Sequence, residues 1–279
     1  MPTTIRFTKA TGAGNDFVLV DAMRGDPVAD PGGLARAACD RHFGVGADGL
    51  ILLEPSARAE FRMRYFNADG STGGMCGNGG RCAARFAHAL GISGTGVRFE
   101  ALGHLYSAVV DEPWVRLRMK PATGLRRHIR IPAAGRSFEA TFIDTGSPHA
   151  VLFAEDLDSL DVPVFGRIIR HDPAFAPAGT NVNFVTVHGP DSVALRTYER
   201  GVEAETLACG TGSVAAAIVA SVVHGVRPPV KVRVRSGETL SVDFRREGDT
   251  IDPVELTGSA ELLFEGEFLY DAEHARIRR

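Results

Sequence analysis

The chain reads as an α/β (α+β) protein of two pseudo-symmetric halves, each a curved sheet wrapped around one helix. Three observations predict this. The sequence repeats on itself at an offset near 133 residues, and each half alternates β-branched, apolar strand patterns with helical stretches. One helical stretch, "GSVAAAIVASVVHG", is apolar around its whole circumference. Such a helix must be covered on every side, which a sheet curled around it achieves.

Four matches in the same order carry the repeat. "ATGAGNDFVLV" (10–20) answers "DTGSPHAVLF" (144–153), and "GADGLILL" (46–53) answers "GTNVNFVTV" (179–187). "RYFNADG" (64–70) answers "TYERG" (197–201), and Cys76 answers Cys209. The offset drifts by one residue only. A period this long marks a duplicated domain, not a solenoid.

The elements follow in order. An opening strand comes after a glycine turn, over Phe17–Asp21 and Ala150–Phe153. Helices are expected next over about 33–42 and about 160–171, where apolar residues recur at helical spacing. Strands follow over 50–53 and 61–66 in one half, and 183–187 and 193–199 in the other. A Cys-Gly-x-Gly turn then opens a helix that closes near Gly91 or Gly225. Alternating apolar segments end each half, "VRFEAL" and "WVRLRMK" in the first, "VKVRVRS" and "TLSVDF" in the second. Pro and Gly in "MKPATG" (119–124) break the pattern. The halves are therefore assigned as 1–120 and 121–260, with 261–279 returning to the first half as a strand.

Composition excludes several classes. With 279 residues, 44% hydrophobic and 23% charged, the chain is globular and large enough for two domains. A net charge of -3 and no basic block argue against a nucleic-acid partner. The longest uncharged apolar run, "GSVAAAIVASVVHGV", is shorter than the roughly 20 residues of a membrane span. "MPTTIRFTKATGAG" lacks the apolar core of a signal peptide, and four cysteines make no disulfide framework. A cytoplasmic location with reduced thiols is expected.

The chemistry rests on the glycine-embedded thiols in "MCGNGGRCAARFA" (75–87) and "ACGTGSVAAA" (208–217). A lone Cys beside glycines is more often a turn or packing residue. Zinc needs clustered ligands, and the spacing Cys76-x5-Cys82 without a histidine pair does not supply them, so no metal is expected. Cys39 and Cys82 have no counterpart at the repeat offset and fall in helical patterns, which suits core packing. Repetition singles out Cys76 and Cys209. Domains duplicated about a pseudo-twofold axis bring equivalent points together, so the two thiols are expected to face each other over a cleft. Each opens a helix, where N–H groups and the helix dipole favour thiolate. Two thiols flanking one carbon, with N–H donors holding a carboxylate, suit racemisation or epimerisation by two bases. "GAGNDF" lacks the third glycine of a dinucleotide fingerprint, and no pyridoxal motif is evident, so no cofactor is expected.

At these residues the sequence resembles the diaminopimelate epimerase family. "GAGNDF", "FNADGS", "MCGNGGRC", "YERG" and "ACGTG" fall in that family's order and spacing along nearly the whole chain. The resemblance implies two similar domains, each a mixed β-barrel around a central α-helix. It implies conversion of LL-2,6-diaminopimelate to the meso form without a cofactor, in lysine and peptidoglycan precursor biosynthesis. Cys209 would accept the proton from the LL centre and Cys76 would donate, with His149 and Glu199 tuning the thiols. Gly77, Asn78, Gly210 and Thr211 match contacts to the reacting centre. Asn15, Asn67, Ser147, Asn181, Glu199 and Arg200 match positions that read the substrate's amino and carboxylate groups. A planar guanidinium such as that of Arg200 grips a carboxylate through two hydrogen bonds.

Two positions differ from the family pattern. Many members have Asn where Ser147 stands, and some have Gln where Gly49 stands. A homodimer is a family expectation, and some members support it with a Tyr near the position of Phe264. The nearest rival reading keeps the thiol pair and changes the substrate to proline, hydroxyproline or another amino acid. Asn67, Asn181 and Arg200, as binders of a distal carboxylate, argue for diaminopimelate. A thiol redox protein is weaker, because no C-x-x-C is present. A non-catalytic amino-acid-binding module would not need two thiols.

Overall fold

The structure, a computed structural model, describes residues 2–25, 28–248 and 250–278. It forms two compact units, Met1–Leu117 with Gly258–Arg279, and Arg118–Thr257.

In the first unit, β1 (Thr3–Gly12) pairs antiparallel with β2 (Asn15–Asp21). Helix α1 (Pro31–Cys39) then crosses over to β3 (Gly49–Glu54), which runs parallel to β2. β4 (Phe61–Asn67) returns antiparallel to β3. A second crossover, α2 (Gly77–Ala89), leads to β5 (Gly96–Ala101), parallel to β4. β6 (His104–Asp111) pairs antiparallel with β5, and β7 (Trp114–Arg118) follows. Parallel neighbours need a crossover of a dozen or more residues, and the two helices supply it.

The second unit repeats the scheme. β8 (Thr123–Ala133) and β9 (Arg136–Asp144) form an antiparallel pair, and β10 (Pro148–Phe153) is antiparallel to β9. Helix α3 (Val162–Arg170) crosses to β11 (Asn181–Gly189), parallel to β10, and β12 (Ser192–Glu199) returns antiparallel. The short β13 (Ala204–Thr206) leads to α4 (Gly210–His224), which crosses to β14 (Val230–Arg233), parallel to β12. β15 (Thr239–Glu247) and β16 (Thr250–Ser259) complete the antiparallel run. The chain then returns to the first unit, where β17 (Glu261–Asp271) pairs antiparallel with β1 and β18 (Arg276–Arg278) with β17. The pair β17–β1 thus corresponds to β8–β9, and the pairings β1–β2, β2–β3, β3–β4, β4–β5 and β5–β6 match in sense β9–β10, β10–β11, β11–β12, β12–β14 and β14–β15.

Each unit buries one helix inside its sheet and lays the other outside. Helix α2 packs against β1 to β6 and β17, and α4 against β9 to β12, β14 and β15. On α4, Gly212 to Ala220 are all buried, as the apolar circumference requires. The outer helices cover the opposite faces. Val18, Val20, Leu50 and Leu52 share a core with Leu34, Ala35 and Ala38 of α1, while Leu152, Val182 and Phe184 share one with Val162 and Ile169 of α3. Strand β3 is buried at all six positions, which explains its apolar run "GLILL" ahead of Glu54.

The outer helices start as their sequences dictate. Asp30 and Asp161 cap them by accepting from the backbone N–H of Gly33 and Val164, each followed closely by proline. Helix α1 stops at Cys39, short of the expected 42. The Asp40 carboxylate takes the N–H groups of His42 and Phe43 and turns the chain out of the helix. Strands β1, β6, β13 and β16 and the β8–β9 hairpin are additions to the expected elements. In β8 only Ile131 and Ala133 are buried, and apolar alternation is confined to Ile129, Ile131 and Ala133 at its end.

Candidate active site

The two inner helices begin differently from the outer ones, on cysteine. Cys76 caps α2 in an extended conformation, and its sulfur accepts from the Gly79 N–H at 3.4 Å. Cys209 caps α4 in the same way, its sulfur accepting from the Gly212 N–H at 3.4 Å. Each sulfur therefore lies at the positive end of a helix of three or more turns, with a backbone donor on it. Such a setting favours negative charge on sulfur. Cys76 is half-buried and Cys209 is 6% exposed. Cys39 lies elsewhere, in the core beneath α1, where burial pushes its thiol up to about 12. Cys82 is fully buried on α2.

In the first unit a polar chain runs into the Cys76 helix. Asn78, fully buried at the second residue of α2, donates to Asn15 Oδ1 at 2.7 Å. Asn15 donates in turn to Asp48 at 2.8 Å, and Arg41 bridges Asp48 and Asp16 at 2.8 Å each. Burial pushes the Asp16 carboxyl up, but hydrogen bonds and charge from Arg41 and Lys9 outweigh it and hold it at about 2. On the other side Asn78 Oδ1 accepts from the buried Arg81 at 3.0 Å. Asn67 ends β4, opposite Gly49, and its amide donates to Ser71. Gly49 has its own reason to be glycine: a Cβ there would lie 2.3 Å from the Tyr65 ring.

In the second unit the corresponding positions carry different chemistry. His149 is the second residue of β10 and is fully buried. Its Nε2 lies 2.9 Å from Thr211 Oγ1, on the second residue of α4, and Thr211 Oγ1 lies 3.5 Å from the Cys209 sulfur. His149 Nδ1 faces the Asn183 amide at 2.9 Å. Burial pushes the imidazole down to about 3, with the charge of Arg200 acting in the same direction, so the ring is neutral at pH 7. Thr145 donates to the Thr211 carbonyl at 3.0 Å and steadies the same turn.

Asn181 stands beside His149 in register on β11. Its amide donates to Pro148 O and Ser147 Oγ, and its oxygen accepts from the Arg200 N–H at 2.8 Å. Both amide hydrogens are thus used within the protein to hold the Ser147 turn, and the oxygen holds the Arg200 backbone. Glu199 closes β12 and accepts from Thr206 at 3.1 Å, and Arg200 follows it, half-buried. The second unit so gathers Ser147, His149, Asn181, Glu199, Arg200, Cys209, Gly210 and Thr211. The first joins Asn15 and Asn78 at the start of the Cys76 helix with Gly77, while Asn67 stands at the end of β4.

Sequence reasoning passed over Asp48, Arg81 and Asn183, which hold the others in place. For Asn183 a signal existed: "NVNF" puts two amides at period 2 in a buried strand, on one face. Among the described residues no helix is long and apolar enough to cross a membrane. Among the described residues the one cluster with metal-ligand geometry is Asp271, Glu273 and His274, where β17 ends.

A family model described as diaminopimelate epimerase matches residues 7–123 and 141–263. The chain is 48% identical over 266 residues to the diaminopimelate epimerase of Chlorobaculum tepidum, covering 92% of this chain and 98% of that one. It is 43% identical to that of Aquifex aeolicus, covering 94% and 97%. Among solved structures, a PhzF-family phenazine biosynthesis protein of Bacillus anthracis superposes with a TM-score of 0.74 at 14% identity, covering 95% and 98%. A hydroxyproline epimerase of Agrobacterium vitis superposes with 0.69 at 16% identity, covering 97% and 92%. These last two share the fold.

Proposed function

The chain belongs to the diaminopimelate epimerase family, a family of isomerases, and we propose that it converts LL-2,6-diaminopimelate to meso-diaminopimelate by two-base thiol catalysis. The observation that carries the reading is the matched capping of the inner helices by Cys76 and Cys209. One thiolate, Cys209 in the forward direction, removes the proton from the α-carbon of the LL centre. The thiol of Cys76 delivers a proton to the opposite face, and the charges on the two sulfurs exchange. Charge that develops on the substrate carboxylate in the transition state is held by N–H groups of the helix starts, those of Gly77 and Asn78 and of Gly210 and Thr211. Arg200 and the amides of Asn15 and Asn67 read the distal amino and carboxylate groups, with Asn181 and Ser147 shaping that end. Both proton-transfer groups come from the chain, so the reaction calls for no cofactor. Thiols of this kind persist in a reducing cytoplasm, where lysine and peptidoglycan precursors are made. A homodimer is part of the same reading.

The test is turnover of LL-diaminopimelate in heavy water. Two distinct bases require solvent deuterium in the product at one centre while unreacted substrate stays largely protiated early in the reaction. Extensive carry-over of the original proton would mean a single base and end the two-thiol reading. Turnover of proline or 4-hydroxyproline in place of diaminopimelate would overturn the substrate assignment.

A further inference from the structure

The Asn183 side chain has only one orientation that satisfies its neighbours. One amide atom lies 3.3 Å from the Ala150 carbonyl, which only accepts, so that atom is the nitrogen. The oxygen then accepts from Thr197 Oγ1 at 3.0 Å. The nitrogen that faces Ala150 also faces His149 Nδ1 at 2.9 Å. An N–H cannot face another N–H, so Nδ1 is the acceptor and the proton of the neutral ring sits on Nε2. Nε2–H then donates to Thr211 Oγ1, and the Thr211 hydroxyl hydrogen is left to point at the Cys209 sulfur.

We propose that Asn183 is a positioning residue, which fixes the Nε2–H tautomer of His149 and thereby aims the Thr211 hydroxyl at Cys209. In this arrangement His149 is a neutral hydrogen-bond donor whose effect reaches the sulfur through Thr211. Every bond in the chain from Asn183 to Cys209 points its hydrogen toward the sulfur and stabilises the thiolate. The ring stays neutral because it is buried away from water. A second feature marks the amide as built in. A Cβ on Gly212 would lie 2.6 Å from Asn183 Oδ1 and 3.2 Å from the Cys209 sulfur, so the helix start leaves room for both groups. For its kinetic consequence the proposal rests on the epimerase reading, whereas the tautomer and the thiolate reactivity do not.

The experiment labels histidine with nitrogen-15 and reads His149 in the resting enzyme by long-range proton–nitrogen correlation, the signal being assigned by its loss in His149→Gln. Protonated Nε2 and bare Nδ1 are expected at neutral pH. An Nδ1–H ring or an imidazolium overturns the proposal with no substrate involved. Asn183→Asp keeps the shape and places an acceptor at Nδ1, so the proton should move to Nδ1. Alkylation of Cys209 by iodoacetamide, followed by peptide mass, should then slow. The kcat should fall roughly a hundredfold or more with KM little changed. Asn183→Leu, which also keeps the shape, should slow the same two rates. A Thr211→Val variant should reproduce the kinetic defect, and Thr211→Ser should restore most of the rate. If Asn183→Asp moves the proton but leaves alkylation and kcat at wild-type values, Asn183 does not act on Cys209. Should the tautomer and alkylation behave as expected in a protein that does not epimerise diaminopimelate, the functional reading fails and the positioning role stands. Should the aspartate variant not fold, the wild-type tautomer and the Asn183→Leu and Thr211 series decide.

Discussion

Asn78 donates to Asn15 across 2.7 Å, tying the second residue of the Cys76 helix to the first residue of β2. At the equivalent places of the other unit, Thr211 on the Cys209 helix meets His149 on β10 at 2.9 Å. The duplication kept the tie between strand and helix start and changed its chemistry. In the first unit the tie is an amide pair held between Asp48 and Arg81, and in the second a neutral imidazole held by Asn183.

Replacing Asn15 by Leu leaves the buried Asn78 amide and Asp48 each short of a partner. Stability should fall by about 1–3 kcal/mol, the cost of an unsatisfied buried polar group. Chemical denaturation of the wild type and the Asn15→Leu variant measures it. An unchanged midpoint would mean that the Asn78 amide finds another acceptor.

Cys76→Ala and Cys209→Ala should each abolish net epimerisation while leaving the fold intact by circular dichroism. Cys39→Ala and Cys82→Ala should keep activity in the folded fraction and lose on the order of 1 kcal/mol of stability. An active Cys209→Ala enzyme would contradict the assignment of the thiols.

Gly212→Ala sets a Cβ against Asn183 Oδ1 at 2.6 Å and Cys209 Sγ at 3.2 Å. Overpacking of this kind costs about 1–3 kcal/mol, and the displaced sulfur should lower kcat as well. Gly94→Ala, where a Cβ meets nothing within 4 Å, serves as the comparison and should be near neutral on both measures.

Acid should destabilise the protein in two stages. His149 is depressed from 6.5 to about 3 in the folded state, so below pH 6.5 the unfolded chain takes up a proton that the folded one refuses. Stability is full above that pH and declines as pH falls toward 3. Asp16 is depressed from 3.8 to about 2 by its basic partners, so its contribution is present above pH 3.8 and is lost as pH falls through 2. Urea midpoints measured from pH 7 to pH 3 should show a flatter slope for His149→Gln than for wild type. Equal slopes would place the titrating group elsewhere.

Much of this molecule was legible in one dimension. The repeat offset announced two alike units because duplicated segments keep glycine turns and strand patterns in order, and the paired pairings of β1 to β6 and β9 to β15 follow that order. The wholly apolar α4 declared its own burial, since no face of it tolerates water. The two repeated thiols stood out because cysteine among glycines suits a helix start. Tertiary structure alone decided the rest. Strand β8 exposes most of its side chains and alternates only from Ile129 to Ala133, so pairing with β9 makes the rest of it a strand. Gly49 reads as a lost side chain until the Tyr65 ring is seen to lie against it. Asn183 reads as the second of two amides on one face of a strand, and its meaning depends on Ala150, Thr197 and His149. A hydrogen bond has a direction that periodicity does not encode, so only the packed neighbours determine which nitrogen of His149 carries its proton.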